Sequence, residues 1–285
     1  MKNTFNGIIV VNKPKGLTSR DVVNKVSKAL NNKKIGHTGT LDPIATGVLI
    51  LMVGSYTKLS DAITSTFKTY TVEADLGYET DTLDNTGTIT KESNITVEKD
   101  TILNTINSFI CEYDQEVPKY SAVKIDGKKL YEYARKNRDI ELPKRKVIIK
   151  SISNIQIDKN RINFTCEVSK GTYIRSLIRD IGLKLNTYAT MTSLNRDRQS
   201  GFGMKDANTL EEIEQNVFKV YTIKDVFKDI YTVDCDDKKY KEITNGVIQK
   251  VDTNSNYILY IYKGKDVAIY KEDANAYRMY VKLDK

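Results

Sequence analysis

Apolar residues form two kinds of pattern along the chain, and each predicts a different kind of strand. Residues 7–13 are mostly apolar and are followed by Pro14 and Gly16, which predicts a strand that ends at the proline. An unbroken apolar run at 48–53 predicts a buried strand. Over 68–78 apolar side chains instead alternate with polar ones, which predicts a strand with one apolar face. That face carries Tyr70, Val72, Ala74, Leu76 and Tyr78.

Helical spacing of apolar residues appears between these strands. Ser19 is placed to cap a helix that continues to about Leu30. Residues 98–109 predict a second helix, and 128–137 predict a short basic one. An amphipathic helix is predicted over 173–185. Its inward face carries Ile174, Leu177, Ile178, Ile181 and Leu185.

The remaining strand signals complete a mixed α/β (α+β) fold. Short strands are predicted near 111–116 and 120–125, and a further strand at 188–197. Two long strands at 145–157 and 161–169 are joined by a plausible turn. Most strand neighbours are connected by hairpins or short links. We therefore expect a large mixed, mainly antiparallel sheet flanked by helices.

The composition changes near residue 228, which predicts a division into two units, 1–227 and 228–285. Eight of the 18 tyrosines lie in the second unit. Short alternating runs at 257–262 and 278–283 predict strands there. The second unit is therefore predicted to be a small β-rich domain.

Composition narrows the function classes. Hydrophobic residues make up 40% and charged residues 29% of 285, which is typical of a globular protein with a sizeable core. No apolar run reaches the roughly 18 residues of a membrane span, and three scattered cysteines suit a reducing cytoplasm. Cys166 lies on the apolar face of an alternating strand, which indicates a buried structural thiol. With His37 as the single histidine, we expect no metal site.

Positive charge is concentrated in one segment. The net charge is +8, and residues 119–150 hold eleven Lys or Arg against four Asp or Glu, or 11 − 4 = +7. Residues 228–285 hold eleven against ten, or +1. Such a segment is typical of a surface that contacts phosphates. On charge alone, a solvated lysine-rich face explains it equally well.

The segment 36–47 places one carboxylate, Asp42, among glycines and small residues directly before the buried strand. The glycines allow a tight loop, and the strand anchors one end of it. Asp42 is therefore expected to be held rigidly where a substrate can approach it closely. Taken alone, the dipeptide Asp42-Pro43 is more typical of a simple turn.

Five blocks along the chain, in order, resemble one known family. They are Lys-Pro-Lys-Gly-Leu-Thr-Ser at 13–19, Gly-His-Thr-Gly-Thr-Leu-Asp-Pro at 36–43, Lys-Thr-Tyr at 68–70 leading into 76–87, Tyr-Ser-Ala-Val-Lys at 120–124 continuing to 135, and Lys-Gly-Thr-Tyr-Ile-Arg at 170–175 with Leu-Asn-Arg at 194–196. Together they resemble the TruB family of bacterial tRNA pseudouridine synthases. The resemblance extends over about 7–203.

The resemblance implies an activity and an architecture. It implies isomerisation of uridine 55, in tRNA numbering, to pseudouridine in the T loop. It also implies a pseudouridine synthase fold over 1–227, with 119–150 gripping the RNA. The region 228–285 resembles an RNA-binding PUA domain only faintly. We expect tRNA, through its T-stem-loop, as the partner of a monomer in the cytoplasm, with no cofactor, membrane or protein partner.

The catalytic roles also follow from the resemblance. Asp42 is implied to be the nucleophile, attacking the base or the sugar. Arg175, at the border of the apolar helix face, is implied to orient it, because a guanidinium can hold a carboxylate with two hydrogen bonds. Tyr70 is implied to stack on the target uracil, and a proton-transfer role for the same residue is the alternative. Without the resemblance, Arg175 is typical of a surface helix arginine and Tyr70 of a core tyrosine. Arg179, one turn further, is expected nearer the surface.

The resemblance implies further contacts around the substrate. His37 is implied to help displace the target nucleotide, although a lone histidine is usually structural. Tyr173 and Leu194 are implied to wall the uracil pocket. The remaining candidates are Lys13 and Asp84 near the pocket and, as phosphate contacts, Lys128, Lys129, Arg135 and Arg145.

Two rival functions share parts of this pattern. A non-catalytic RNA chaperone needs the basic segment and His37, but it does not need Asp42, Tyr70 and Arg175 together. A synthase that works with a guide RNA and protein partners would have similar catalytic residues. The short C-terminal region argues against it, because guide docking needs a larger surface.

Overall fold

The computed structural model describes residues 5–64, 67–134, 136 and 140–284. Its strands are β1 Gly7–Lys13, β2 Ile35–His37, β3 Thr46–Val53, β4 Lys68–Leu76, β5 Tyr78–Thr80, β6 Ile89–Glu92, β7 Glu112–Glu116, β8 Lys124–Ile125, β9 Lys128–Lys129, β10 Lys144–Asp158, β11 Arg161–Val168, β12 Ala189–Gln199, β13 Phe202–Gly203, β14 Tyr231–Asp234, β15 Tyr257–Tyr262, β16 Lys265–Asp273 and β17 Ala276–Lys282. Its helices are α1 Ser19–Ala29, α2 Ser60–Thr64, α3 Lys99–Asn107, α4 Leu130–Ala134, α5 Ile174–Lys184, α6 Leu210–Glu214, α7 Ile223–Val226 and α8 Asp237–Thr244. Short 3₁₀ turns cover Gly54–Leu59 and Met204–Asp206.

A nine-stranded sheet dominates the described residues. Its order is β1-β3-β12-β4-β11-β10-β7, with β2 beside β3 and β13 beside β12. β3 and β12 pair in parallel, and the other pairs of this sheet are antiparallel. The predicted fold class, a large mixed and mainly antiparallel sheet flanked by helices, is confirmed.

The two apolar patterns of the sequence correspond to two depths in this sheet. β1 and β3 are buried on both faces, because helices cover one face and the C-terminal region covers the other. β4 buries every second residue, so one of its faces joins the core. The strand ends at Leu76 and not at Tyr78, since Gly77 adopts a φ of +106° that breaks the extended backbone.

Several predicted helix and strand ends were wrong in detail. Thr18, not Ser19, caps α1: its hydroxyl accepts from the Asp21 backbone N–H, and the Asp21 carboxylate accepts from the Thr18 N–H. Residues 120–123 form no strand, and pairing starts only at β8. The predicted basic helix begins as β9 and becomes helical only at Leu130, after a turn at Asp126 and Gly127 with positive φ.

A second sheet forms the C-terminal β-rich region. Its order is β14-β15-β16-β17, and β14 pairs with β15 in parallel. Leu259 and Ile269 of this sheet share one buried apolar cluster with Val48 and Ile50 of the large sheet. The opposite face packs a separate cluster around Ile258 and Tyr270. Within the described residues, no helix combines the length and the apolar character needed to cross a membrane.

Candidate active site

The Asp42 loop joins β2 to β3 and is fixed to the elements around it. The Ser19 hydroxyl accepts from the Leu41 N–H at 2.8 Å, and the Gly16 N–H donates to the Pro43 carbonyl at 2.7 Å. Gly47 closes the loop with a φ of +101°, and a Cβ there would lie 2.4 Å from the Arg196 carbonyl. Glycine is therefore required for β3 to approach β12 this closely.

Arg175 holds Asp42 with two contacts. Arg175 Nε lies 2.9 Å from Asp42 Oδ2, and Arg175 Nη2 donates to Asp42 Oδ1 at 3.2 Å. Arg175 also donates to the carbonyls of Thr82, at 2.9 Å, and Tyr120, at 3.1 Å. The Arg175 side chain is 6% exposed and that of Asp42 is 33% exposed. The geometry thus fixes a carboxylate that remains open to solvent.

Asp84 lies behind this pair. Its Oδ2 is 3.9 Å from Arg175 Nη1, while its Oδ1 accepts from the Thr82 hydroxyl at 2.8 Å and the Thr86 N–H at 3.0 Å. Asp84 is buried and lies outside the lining of the cavity that contains Asp42. It can therefore support Arg175 electrostatically, and its predicted contact with substrate stays a prediction.

A cavity of about 440 Å³ opens beside Asp42. Its lining includes Tyr70, Arg175, Tyr173 and Leu194, together with Asp42. β4 supplies Tyr70 and the neighbouring β12 supplies Leu194, both largely buried. The structure therefore brings five predicted residues from four separate parts of the chain to one cavity, which is large enough for a nucleobase.

Tyr173 precedes α5 and forms one wall of this cavity. Its backbone N–H donates to the side-chain oxygen of Gln115 at 2.8 Å. Burial raises the pKa of the Tyr173 phenol, and the charges of Arg145 and Arg175 oppose that rise. Tyr173 is therefore a neutral hydrogen-bonding wall, positioned through its backbone by a buried glutamine.

Lys13 and His37 lie outside the cavity lining. Lys13 is fully buried and donates to the carbonyls of Pro14, at 2.9 Å, and Leu17, at 2.6 Å. Burial lowers the pKa of Lys13 to about 8, although the negative charge of Asp42 opposes the shift. Burial also lowers the pKa of His37, which sits at the end of β2. Their predicted roles toward the nucleotide stay predictions.

The RNA contacts predicted for the basic residues of 119–150 stay predictions. Lys128 and Arg145 are exposed, and Arg145 is near enough to Tyr173 to influence its titration. Lys129 packs over the Tyr131 ring at 5.4 Å from its centroid. Arg135 lies outside the described residues.

Two buried cations at this site, Lys68 and Arg196, had no role predicted from the sequence. Arg196 is fully buried and donates to the carbonyls of Val48, at 2.7 Å, and Gly39, at 3.2 Å. Lys68 is 7% exposed and lines the cavity. The alternation of β4 could have revealed Lys68, because it shares the inward face with Tyr70.

The expectation of a surface position for Arg179 was wrong. Arg179 is 9% exposed and pairs with Glu116 and Asp180, each at 2.8 Å. It lines a separate cavity of about 490 Å³. Arg179 lies one turn after Arg175 on α5, and its guanidinium donates to both the carboxylate and the backbone carbonyl of Glu116 in β7. Among the described residues, no three His, Cys, Asp or Glu side chains are grouped to hold a metal ion.

Comparisons with known proteins agree on one family. The profile described as TruB family pseudouridylate synthase (N terminal domain) matches residues 27–174. A protein of Mesoplasma florum named tRNA pseudouridine synthase B is 42% identical, over 96% of both chains. A protein of the same name from Lactobacillus johnsonii is 39% identical, over 96% of this chain and 97% of that one.

A solved structure shares the fold. The structure of a Cbf5-Nop10-Gar1 complex contains a chain that superposes with a TM-score of 0.70. The match covers 97% of this chain and 84% of that chain, at 23% sequence identity. At this identity the likeness supports the fold alone.

Proposed function

The chain belongs to the TruB family of pseudouridylate synthases, and we propose that it isomerises uridine 55 in the T loop of tRNA to pseudouridine. Asp42 is the proposed nucleophile, and no cofactor takes part. The observation that supports this most strongly is the bidentate contact between Arg175 and Asp42 beside an open cavity. The relatives named tRNA pseudouridine synthase B supply the substrate class.

The reaction needs one carboxylate and a cavity in which the detached uracil can rotate. The bond between N1 of uracil and C1′ of ribose breaks, the base turns, and C5 bonds to C1′. The proton on C5 is lost and N1 gains one, so the atoms balance. A fixed carboxylate can attack the base or the sugar and hold one fragment while the other turns. Arg175 keeps Asp42 oriented for that attack.

The walls of the cavity suit a flat, neutral ring. Tyr70 offers an aromatic surface on which uracil can stack, and Leu194 offers an apolar one. We assign Tyr173 the third wall. We assign Tyr70 to stacking on the uracil.

The basic segment supplies the path by which RNA reaches the cavity. We assign phosphate contacts to Lys128, Lys129, Arg135 and Arg145, and displacement of the target nucleotide to His37. Lys13 and Asp84 are assigned to the charge balance around Asp42 and Arg175. Affinity is then expected to fall steeply with salt.

The wider organisation is also part of the proposal. We divide the chain into a catalytic domain, 1–227, and a PUA-like domain, 228–285. The protein is assigned to the cytoplasm, as a monomer without a protein partner. The matches to the relatives named tRNA pseudouridine synthase B extend over 96% of this chain.

Incubation with an unmodified tRNA transcript tests the function. Pseudouridine is mapped by position, and the proposal expects it at uridine 55 with this protein as the sole addition. Pseudouridine at another position would contradict the assignment of uridine 55 as the target. Binding without product would favour the RNA chaperone, and product only after adding a guide RNA would favour the guided synthase.

A further inference from the structure

The chain on both sides of Asp42 is bonded to one strand, β12. On the N-terminal side, the Gln199 side-chain NH₂ group donates to the Thr38 carbonyl at 2.8 Å and to the Thr38 hydroxyl at 2.9 Å. On the C-terminal side, the Thr46 hydroxyl donates to Asn195 Oδ1 at 2.8 Å. Both ends of the Asp42 loop are therefore fixed to the same strand of the large sheet.

Arg196, also in β12, contacts both sides of the loop with one guanidinium. Its Nε donates to the Val48 carbonyl at 2.7 Å, and its Nη2 donates to the Gly39 carbonyl at 3.2 Å. Gly39 lies three residues before Asp42, and Val48 lies six residues after it. A single planar side chain thus bridges the segment that carries the carboxylate.

The glycines of the loop give such a bridge a purpose. Gly39 and Gly47 both adopt a positive φ, at +92° and +101°. Glycine has more backbone freedom than other residues, so a segment with glycines on both sides of Asp42 can shift unless it is tied down. Arg175 contacts the carboxylate of Asp42, whereas Arg196 contacts the backbone on either side of that residue.

The charge of Arg196 is unfavourable for stability. Arg196 is 1% exposed. Burial is the main cause of the lowered pKa of Lys13 and of His37, and the positive charge of Arg196 contributes to both shifts. A buried cation that repels its neighbours costs stability, and replacing buried charged groups with neutral ones is often stabilising. Stability alone therefore does not account for a charged side chain at this position.

We propose that Arg196 is a positioning residue for the isomerisation, which fixes the backbone on both sides of Asp42 while Arg175 fixes the direction of the carboxylate. Misplacement of reacting groups by about 1 Å can cost about 10²-fold in rate. A loop tied on both sides keeps Asp42 at a constant distance from a uridine in the cavity. The inference rests on the proposed function, because the attack by Asp42 is part of that function.

The test compares Arg196→Lys with Arg198→Lys, which alters an exposed arginine of the same strand outside the cavity lining. Lysine keeps the positive charge but cannot reproduce the two donors of the planar guanidinium. The single-turnover rate at saturating stem-loop RNA, the dissociation constant and the free energy of unfolding are measured for each protein. Ile269→Ala, in the C-terminal sheet, is the control for lost stability.

We expect Arg196→Lys to lower the single-turnover rate about 10²-fold, while the dissociation constant changes by less than about twofold. Arg198→Lys is expected to leave both quantities unchanged. Ile269→Ala should keep the rate of the unaltered protein under conditions in which it is folded. The split between rate and affinity, at a matched folded fraction, separates positioning from loss of stability.

A double variant tests whether the two arginines act through the same carboxylate. Once Arg175→Lys has misoriented Asp42, a shift of the loop has less left to disturb. The loss of rate in the double variant should therefore be smaller than the product of the two single losses. A loss equal to that product would show that Arg196 acts independently of Asp42, and it would overturn the inference.

An unchanged rate in Arg196→Lys would also overturn the inference, and so would a rise in the dissociation constant as large as the loss of rate. If Arg196→Lys fails to fold, Thr46→Val loosens the same loop at a half-buried position, and an unchanged rate there is equally contradictory. Conversion of RNA by the unaltered protein is measured in parallel. Absence of pseudouridine in that sample contradicts the proposed function, whereas conversion at equal rates with and without Arg196 contradicts only the positioning role.

Discussion

Asp42 and Arg175 form an ion pair in which the carboxylate is partly exposed and the guanidinium is buried. The carboxylate keeps a third of its surface open, while the guanidinium that orients it is enclosed and bonded to three separate segments. A buried arginine whose N–H groups donate to several fixed acceptors cannot easily turn toward a different partner. The pair is therefore a rigid arrangement that presents one acidic group to the cavity.

Replacement of Asp42 by Asn tests the nucleophile. The amide keeps the size of the side chain but cannot form the covalent bond, so pseudouridine formation should fall by at least about 10³-fold. Affinity for tRNA should change little, because the basic segment is untouched. Turnover is measured by pseudouridine mapping and affinity by filter binding. Undiminished turnover would remove Asp42 from the mechanism.

Arg175→Lys tests orientation, and Arg179→Lys on the same helix is its matched control. Lysine keeps the charge but loses the two-point contact, so we expect turnover to fall about 10²-fold with RNA affinity retained. Arg179 pairs with Glu116 and Asp180 outside the catalytic cavity, so its replacement should affect stability more than turnover. Equal losses of turnover in both variants would show that the effect is structural.

The sequence predicts some of these residues better than others, for physical reasons. The alternation of β4 placed Tyr70 on an inward face without any tertiary information. The contact between Asp42 and Arg175 joins residues 133 positions apart, which no local period encodes, so only the family resemblance pointed to it. Arg196 was missed because burial of a cation depends on carbonyls that another strand supplies.

At the scale of elements, β7 and α5 are joined by a buried polar chain. The side-chain oxygen of Gln115 accepts from the Tyr173 N–H, and its NH₂ group donates to the Tyr113 hydroxyl at 2.7 Å. The Tyr113 hydroxyl in turn donates to the Asp180 carboxylate at 3.3 Å. The start of α5 therefore has its first orphan N–H satisfied from a neighbouring strand.

Gln115→Leu tests this link. Loss of the acceptor leaves the Tyr173 N–H unsatisfied, so the free energy of unfolding should fall by about 1–3 kcal/mol. Denaturant unfolding measures the loss, and Gln156→Leu on the exposed part of β10 is the control with an expected change near zero. A similar change in both variants would contradict the capping role.

The rate at which Cys166 is alkylated tests whether the inward face of β11 is buried. Burial raises the pKa of its thiol to about 12, so at about pH 8 only ~10⁻⁴ of it is the reactive thiolate. Cys111 is exposed and should be alkylated quickly in the native protein. We expect Cys166 to be alkylated only after unfolding, as measured by mass spectrometry of peptides. Labelling of Cys166 at the rate of Cys111 would contradict the buried position.

At the scale of the whole molecule, β1 and β3 are the strands of the large sheet that pack against the C-terminal sheet. Their continuous apolar runs predicted that both faces would be buried. The sequence of these strands did not predict which part of the chain covers the second face, because any apolar partner would produce the same apolar pattern. The structure shows the C-terminal sheet in that place. The Tyr56 hydroxyl, just after β3, also donates to the carboxylate of Asp266 in β16.

The shared cluster predicts that the two sheets unfold together, although composition divides the chain near residue 228. Ile269 is fully buried within this cluster, so Ile269→Ala should lower the free energy of unfolding by about 2–5 kcal/mol. Ile248→Ala, at an exposed position in the same region, should change it by less than about 0.5 kcal/mol.

Far-ultraviolet circular dichroism and tRNA isomerisation, followed through the same denaturant series, should give one common midpoint that Ile269→Ala shifts downward. The loss of activity then follows from the loss of β3, which anchors the Asp42 loop at one end. Two separate transitions, with activity surviving the first, would show that the large sheet folds independently of its C-terminal cover.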